Sequence, residues 1–176
     1  MIKLNDIAEI KTGLVLNRKK ADMSKDQKLY YSVVSLKSFN VDAIYDNTFA
    51  DEFISNEQIK EDYQVKQGDI LLRLREPNLA VYIDKKYENL IFSSLMVRVK
   101  IQDNRFDPHF IAHYLNSNTV KKALSTELSG TTIPMINVAN VNEIKIPLIN
   151  LDKQKKIVEY LKLAHQENEL LQNLIN

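Results

Sequence analysis

The sequence predicts an α+β domain over residues 1–148, built on a curved, mixed sheet and followed by one long C-terminal helix of coiled-coil type over residues 149–176. Three observations carry that expectation. Runs such as Leu90 to Ile101 (LIFSSLMVRVKI) are rich in the β-branched and long apolar residues that fit a buried strand. Asp107-Pro108 opens a stretch whose apolar residues recur at helical spacing, and from Asp152 onward there is neither Gly nor Pro. A chain of 176 residues with 44% hydrophobic and 27% charged residues has the size and balance of one globular domain, which excludes wholesale disorder.

In chain order, Asp6 to Thr12 carries Ile7, Ala8 and Ile10 in the pattern of a short helical turn running into a strand, and Gly13 ends it. Tyr31 to Leu36 (YSVVSL) reads as the next strand. Lys66-Gln67-Gly68-Asp69 is a turn signal, so Ile70-Leu71-Leu72 and, past Pro77-Asn78, Ala80-Val81-Tyr82-Ile83 are expected to pair. Leu90 to Ile101 is the strongest strand. After Asp107-Pro108, Phe110, Ile111, Tyr114 and Leu115 share one helical face, and a second short helix is expected from Val120 to Leu128, stopped near Gly130. Glu143 to Ile146 reads as a short strand closed by Pro147.

The final segment permits one helix of about 25 residues, nearly 40 Å at the standard rise, with Asn150 or Asp152 as its cap. Ile157, Leu161, Ala164, Asn168, Leu171 and Ile175 follow spacings of four, three, four, three and four, the alternation of a coiled-coil seam with Asn168 at an a position. Tyr160, Leu163, Leu170 and Leu174 form a second stripe. A surface helix needs one apolar stripe; two point to packing against its own domain and against a helix of another chain. The plain alternative is a terminal helix folded wholly onto its own domain. A lone Asn in such a seam costs stability but aligns two helices, which favours pairing.

Composition excludes several chemistries. There is no cysteine, hence no disulfide framework, thiol nucleophile or thiolate zinc site, and the three histidines leave little for metal binding. No apolar run approaches a membrane span, and Lys3, Asp6 and Glu9 interrupt what would be a signal peptide, so a cytoplasmic location without membrane contact is expected. The net charge is +1, yet residues 1–40 hold eight basic and four acidic groups while residues 41–62 hold one and seven. A basic face set against an acidic one is expected, although solvated surfaces also vary this much.

Catalytic constellations fare poorly. Gly13, Gly68 and Gly130 lie too far apart to build the glycine-rich loop of a methyl-donor site, so no cofactor is expected. Glu9-Ile10-Lys11 and Glu143-Ile144-Lys145 match an acidic-x-Lys nuclease pattern, but strand alternation explains them more simply. His109 and His113 stand at i and i+4 without a third ligand at suitable spacing, so no metal site is assigned.

Several short stretches together resemble one family. Asp6-Ile7-Ala8-Glu9-Ile10-Lys11-Thr12-Gly13, Val65-Lys66-Gln67-Gly68-Asp69-Ile70-Leu71, Ser93-Ser94-Leu95-Met96-Val97-Arg98, Ser129-Gly130-Thr131-Thr132-Ile133-Pro134, Ile144-Lys145-Ile146-Pro147-Leu148 and Lys153-Gln154-Lys155-Lys156-Ile157-Val158 stand in the order found in the target recognition domain and following helix of Type I restriction-modification specificity subunits. The resemblance implies a non-catalytic recognition domain that reads one half of a bipartite site in double-stranded DNA. It also implies a helix that spaces this domain from a second one while docking methyltransferase subunits and, in some systems, a restriction subunit. Family members usually carry two such domains and two helices; this chain has one of each and looks like a half-subunit, expected to form a homodimer or to pair with another half-subunit. Leu148-Ile149-Asn150-Leu151 and Lys153-Gln154 depart from the family's proline-rich and acidic residues before the helix.

A reader of duplex DNA needs donors for base edges and cations for phosphates. The candidates are Asn17, Arg18, Lys19 and Lys20 after Gly13, Arg73, Arg75 and Asn78 around the Pro77 turn, and Thr131 and Thr132 in the glycine-threonine stretch. Arg73 has an alternative in pairing with Asp69 or Glu76. A second functional reading is an assembly module whose helix scaffolds other proteins without specific DNA reading.

Overall fold

The computed structural model describes residues 1–127 and 135–175. Its elements are β1 (Ile2–Lys3), α1 (Leu4–Ile7), β2 (Ala8–Thr12), β3 (Leu29–Val33), β4 (Asp51–Ser55), β5 (Ile70–Arg73), β6 (Ala80–Tyr82), β7 (Leu90–Ile91), β8 (Met96–Ile101), α2 (Pro108–Leu115), α3 (Asn118–Glu127), α4 (Val138–Asn142), β9 (Lys145–Ile146) and α5 (Leu151–Ile175). The α+β class and the long final helix are as expected. The single mixed sheet is not: the strands form three sheets, in orders β2-β8-β5-β6, β4-β3-β7 and β1-β9. The four-stranded sheet is antiparallel throughout, and only the three-stranded one is mixed, because β7 joins β3 in parallel.

β5, β6 and the first half of β8 are buried on both faces, which is why Ile70-Leu71-Leu72 and Ala80-Val81 read as unbroken apolar runs, whereas β2 at the edge is only partly buried. Along β5, Ile70 and Leu72 face a core shared with Leu4, Ile111, Leu115 and Val141 of the helices, while Leu71 faces a second core with Val34, Phe39, Tyr45 and Phe92. Strand alternation sorts β8 likewise, Val97 and Val99 toward the helices and Met96 away from them. A smaller cluster of Leu14, Tyr31, Val33, Ile59 and Ile91 lies against the three-stranded sheet. Gly68 adopts φ +91°, the left-handed conformation that the turn into β5 requires.

The expected strand from Leu90 to Ile101 is divided. The Met96 amide donates to the Ser93 carbonyl at 3.2 Å, closing a turn at Ser94-Leu95, so β7 and β8 serve different sheets. β4 escaped the sequence reading because it begins Asp51-Glu52, residues depleted in strands. One-turn α4 is set by a capping box in which the Asn137 and Asn140 side chains each accept the other's amide, and it confines the expected strand at 143–146 to Lys145–Ile146.

Asp107 caps α2 as expected, accepting from the Phe110 amide at 3.0 Å with Pro108 in the first turn. Asn150 rather than Asp152 caps α5, accepting from the Lys153 amide at 2.9 Å. The root of α5 is locked to the domain by Gln154, fully buried, whose Oε1 accepts from the Asp107 amide at 2.8 Å while its Nε2 donates to the carbonyls of Arg105 at 2.9 Å and Ile149 at 2.6 Å. Val158 is buried and Ile157 packs on the main core, whereas every residue from Gln166 to Ile175 is exposed. The seam expected over 157–175 is therefore divided: Ile157 faces its own domain and Asn168, Leu171 and Ile175 face outward.

Candidate nucleic-acid interface

At the edge of the four-stranded sheet where β2 and β5 end and β8 begins, four chain segments are hydrogen-bonded into one rim. The Ser94 amide donates to the Leu14 carbonyl at 2.9 Å, Leu74 to Leu95 at 3.1 Å and Ile136 to Leu74 at 2.9 Å, and Arg75 bridges Met135 in antiparallel fashion. Gly13 is required here. A Cβ at this position would lie 2.2 Å from the Ser93 carbonyl oxygen and 2.6 Å from that of Phe92, so only glycine lets β2 cross so close to the chain entering β8.

From this rim the chain leaves through Val15 and a 3-10 turn at Leu16–Arg18 into the loop that carries the expected cations. Asn17, Arg18 and Lys20 are exposed there. Lys19 is tethered to Glu57 at 2.6 Å, and that contact holds the Glu57 carboxyl below its ordinary pKa. The loop is pinned by Asn56, which sequence reasoning missed: its Oδ1 accepts from the Asp22 amide at 2.6 Å and its Nδ2 donates to the carbonyls of Gln27 at 2.7 Å and Asp22 at 3.2 Å. Arg18, Lys19, Lys20 and Lys25 line the resulting cleft of about 550 Å³ together with Asp22 and Glu57. Asp22 accepts the hydroxyl and amide of Ser24, which lowers its pKa and keeps it anionic within the loop.

The second candidate group separates by exposure. Buried Leu72 and Leu74 flank Arg73, so Arg73 and Arg75 do share a face. Arg73 is half-buried and its Nη2 donates to the Glu76 carbonyl at 3.4 Å, not to a carboxylate of Asp69 or Glu76. Asn78 is buried, and its Nδ2 donates to the Arg73 carbonyl at 3.1 Å, closing the turn into β6. Arg75 is exposed and has no ion pair among the described residues. Thr131 and Thr132 lie outside the described residues.

The expected opposition of a basic and an acidic face is also modified. Lys19 pairs with Glu57, and Lys11 with Asp62, so the basic N-terminal run and the acidic run beyond it adjoin and partly neutralise one another. Arg98, missed because it sits inside an apolar strand, is buried; its Nη1 donates to the carbonyls of Asp62 and Gln64 at 3.1 and 3.2 Å and its Nη2 reaches Glu9 at 3.3 Å. Glu9 is thereby engaged in structure, and Glu143 likewise pairs with Lys3 at 2.9 Å.

His109 is stacked between Tyr82 and His113, at centroid separations of 4.7 and 5.1 Å. Burial pushes its pKa down to about 4, with the neighbouring His113 adding in the same direction, and burial lowers that of His113 too. Neutral, stacked rings suit a packing role, and no group of three metal-ligating side chains occurs among the described residues. No described helix is long and apolar enough to cross a membrane.

A family model described as the Type I restriction modification DNA specificity domain matches residues 1–176. The chain belongs to that family. A curated relative, the specificity subunit of the Type I restriction enzyme MjaVIII of Methanocaldococcus jannaschii, is 35% identical over 103 residues, covering 56% of this chain and 24% of the relative. Among solved structures, the HsdS subunit from Thermoanaerobacter tengcongensis superposes with TM-score 0.72 at 14% identity, over 98% of this chain and 43% of that one. The S subunit of a Type I restriction-modification system from M. genitalium superposes with TM-score 0.58 at 15% identity, over 99% and 41%. The specificity-domain chain thus spans a quarter to about two fifths of the proteins it matches, and its fold, final helix included, is theirs.

Proposed function

We propose that this chain is the DNA-reading, non-catalytic component of a Type I restriction-modification complex acting on double-stranded DNA in the cytoplasm. Its sheet rim reads one half of a bipartite site, and α5 docks methyltransferase subunits and, where the system has one, a restriction subunit. Methyl transfer and cleavage belong to those partners. The observation that carries the reading is the rim itself: a rigid four-segment edge presenting exposed Arg75, flanked by a pinned loop presenting Arg18 and Lys20, on a chain of the specificity-domain family. Loops anchored on a rigid sheet are suited to recognition. Arg75 supplies the forked donor that guanine accepts, and the loop cations supply phosphate contacts that set the register.

The outer half of α5 supports pairing. Leu163, Leu170, Leu171, Leu174 and Ile175 are 51–84% exposed, an apolar surface that fits a second helix of the same kind, from another copy of this chain or another specificity domain. A second copy related by a twofold axis would read an inverted repeat. The test is a titration of the complex with duplex DNA across salt. Neutralisation of several phosphates makes affinity fall steeply with salt, and a cognate duplex binds tighter than a scrambled one. The assembly-module reading, favoured by the near-neutral charge and the exposed helix, predicts complex formation with partners but no site preference at any salt.

A further inference from the structure

The rim holds a feature that reading by cations leaves unexplained. Met135 is 48% exposed, Leu95 40% and Val15 44%, although Ile136 and Leu14 next to them in the chain and Leu74 across from Leu95 are buried. Singly, such exposure is ordinary. Here Met135 stands directly across a bridge from an arginine with no ion pair among the described residues. Arg75 and Met135 are direct partners across an antiparallel bridge, which puts their side chains on the same face with Cβ atoms about 5 Å apart. Leu95, by contrast, is the partner of buried Leu74, its carbonyl accepting from the Leu74 amide at 3.1 Å, which turns it to the other face of the rim.

We infer that Arg75 and Met135 form one base-reading patch that takes a guanine beside a pyrimidine bearing a C5-methyl group. The inference rests on the DNA-reading function proposed above. In the major groove every base edge is polar except for one group, the methyl on C5 of thymine, which 5-methylcytosine shares. An apolar surface next to a guanine-reading arginine therefore has a single kind of apolar counterpart in duplex DNA. Successive base pairs are about 3.4 Å apart, so side chains about 5 Å apart on one bridge span neighbouring pairs. Arginine fixes one pair through its hydrogen bonds, and the thioether excludes water from the adjacent methyl.

The test uses the complex of this chain with its methyltransferase partner and the half-site that it selects from a random duplex pool. Each thymine of that half-site is replaced in turn by deoxyuridine, which removes the methyl alone. At a position next to the guanine whose loss mimics Arg75→Ala, deoxyuridine should weaken binding about fourfold, the effect of burying one methyl group. In Met135→Ala, thymine and deoxyuridine should bind alike. Replacing deoxyuridine there by cytosine or by 5-methylcytosine, each paired with guanine, separates the two methyl sources: a further gain from the cytosine methyl shows that the patch reads the methyl, and no gain shows that it reads thymine as a whole. A half-site without thymine or 5-methylcytosine beside the guanine, or indifference to deoxyuridine at every position, overturns the inference; if binding then still depends on salt and on Arg75, the DNA-reading function stands. Loss of all site preference in the unmodified complex overturns both.

Discussion

Replacing Gln154 with methionine probes how α5 is held to the recognition domain. The amide is fully buried and joins three backbone groups, the Asp107 N–H and the carbonyls of Arg105 and Ile149, at 2.6 to 2.9 Å. Methionine keeps the length and helix propensity but abandons all three. A buried backbone group left without a partner costs about 1–3 kcal/mol. Arg105 is exposed and Ile149 half-buried, so water can reach some of these groups and the low end applies, giving about 3 kcal/mol in all. Against a typical stability of about 5–15 kcal/mol this is a large fraction. Urea unfolding at constant slope reports the loss, and amide exchange across 151–165 shows whether α5 detaches before the domain opens. A change under about 0.5 kcal/mol with unaltered exchange, within the range of an ordinary surface substitution, would refute the reasoning that Gln154 fixes the helix.

Four further outcomes are expected. His109 has a folded-state pKa of about 4 against 6.5 unfolded, so the unfolded chain takes up the proton first as pH falls; stability is full above 6.5 and lost below it, by about 2 kcal/mol at pH 5 in urea titrations, and His109→Phe should show a smaller loss. Gly13→Ala sets a Cβ 2.2 Å from a carbonyl oxygen and should destabilise by about 1–3 kcal/mol, seen in the unfolding midpoint. Arg75→Ala should cost about 1–3 kcal/mol on the cognate duplex only, whereas Lys19→Ala should weaken all duplexes slightly and alike, as read by fluorescence anisotropy; equal small losses would leave only non-specific contact. Leu171→Asp with Leu174→Asp should leave the melting temperature within a few degrees of wild type, since both side chains are exposed, while light scattering of the complex shows fewer copies of this chain.

Much of the fold was legible because local signals and tertiary demands agree at particular residues. Asp107-Pro108, Gly68 and the Gly- and Pro-free run after Asp152 each carry a backbone requirement that the structure meets directly. β4 was invisible because its pairing with β3 depends on Phe53 and Ile54 within an acidic stretch, and the break at Ser94-Leu95 was hidden because both flanking strands are apolar. The candidate site was read by residue type, which finds cations but not their partners. Lys19 meets Glu57 across 38 positions of sequence, Asn78 turns inward to a carbonyl, and Asn56 acts on a loop more than 28 residues earlier; only the folded chain brings these together. The outer half of α5 shows the reverse case, since the two stripes were visible as periodicity while their division between the domain and solvent depends on where Gln154 and Val158 anchor the helix.

On the proposed function, this chain decides which DNA sequence its complex acts upon. The direct measurement is to map every methylated position that the complex, assembled from this chain and its methyltransferase subunits, places on genomic DNA in the presence of S-adenosylmethionine. The expected result is a set of marks sharing one short half-site motif, absent when this chain is omitted and relaxed at a single position by Arg75→Ala. Marks without a common motif, or a motif that stays the same when this chain is left out, would contradict it.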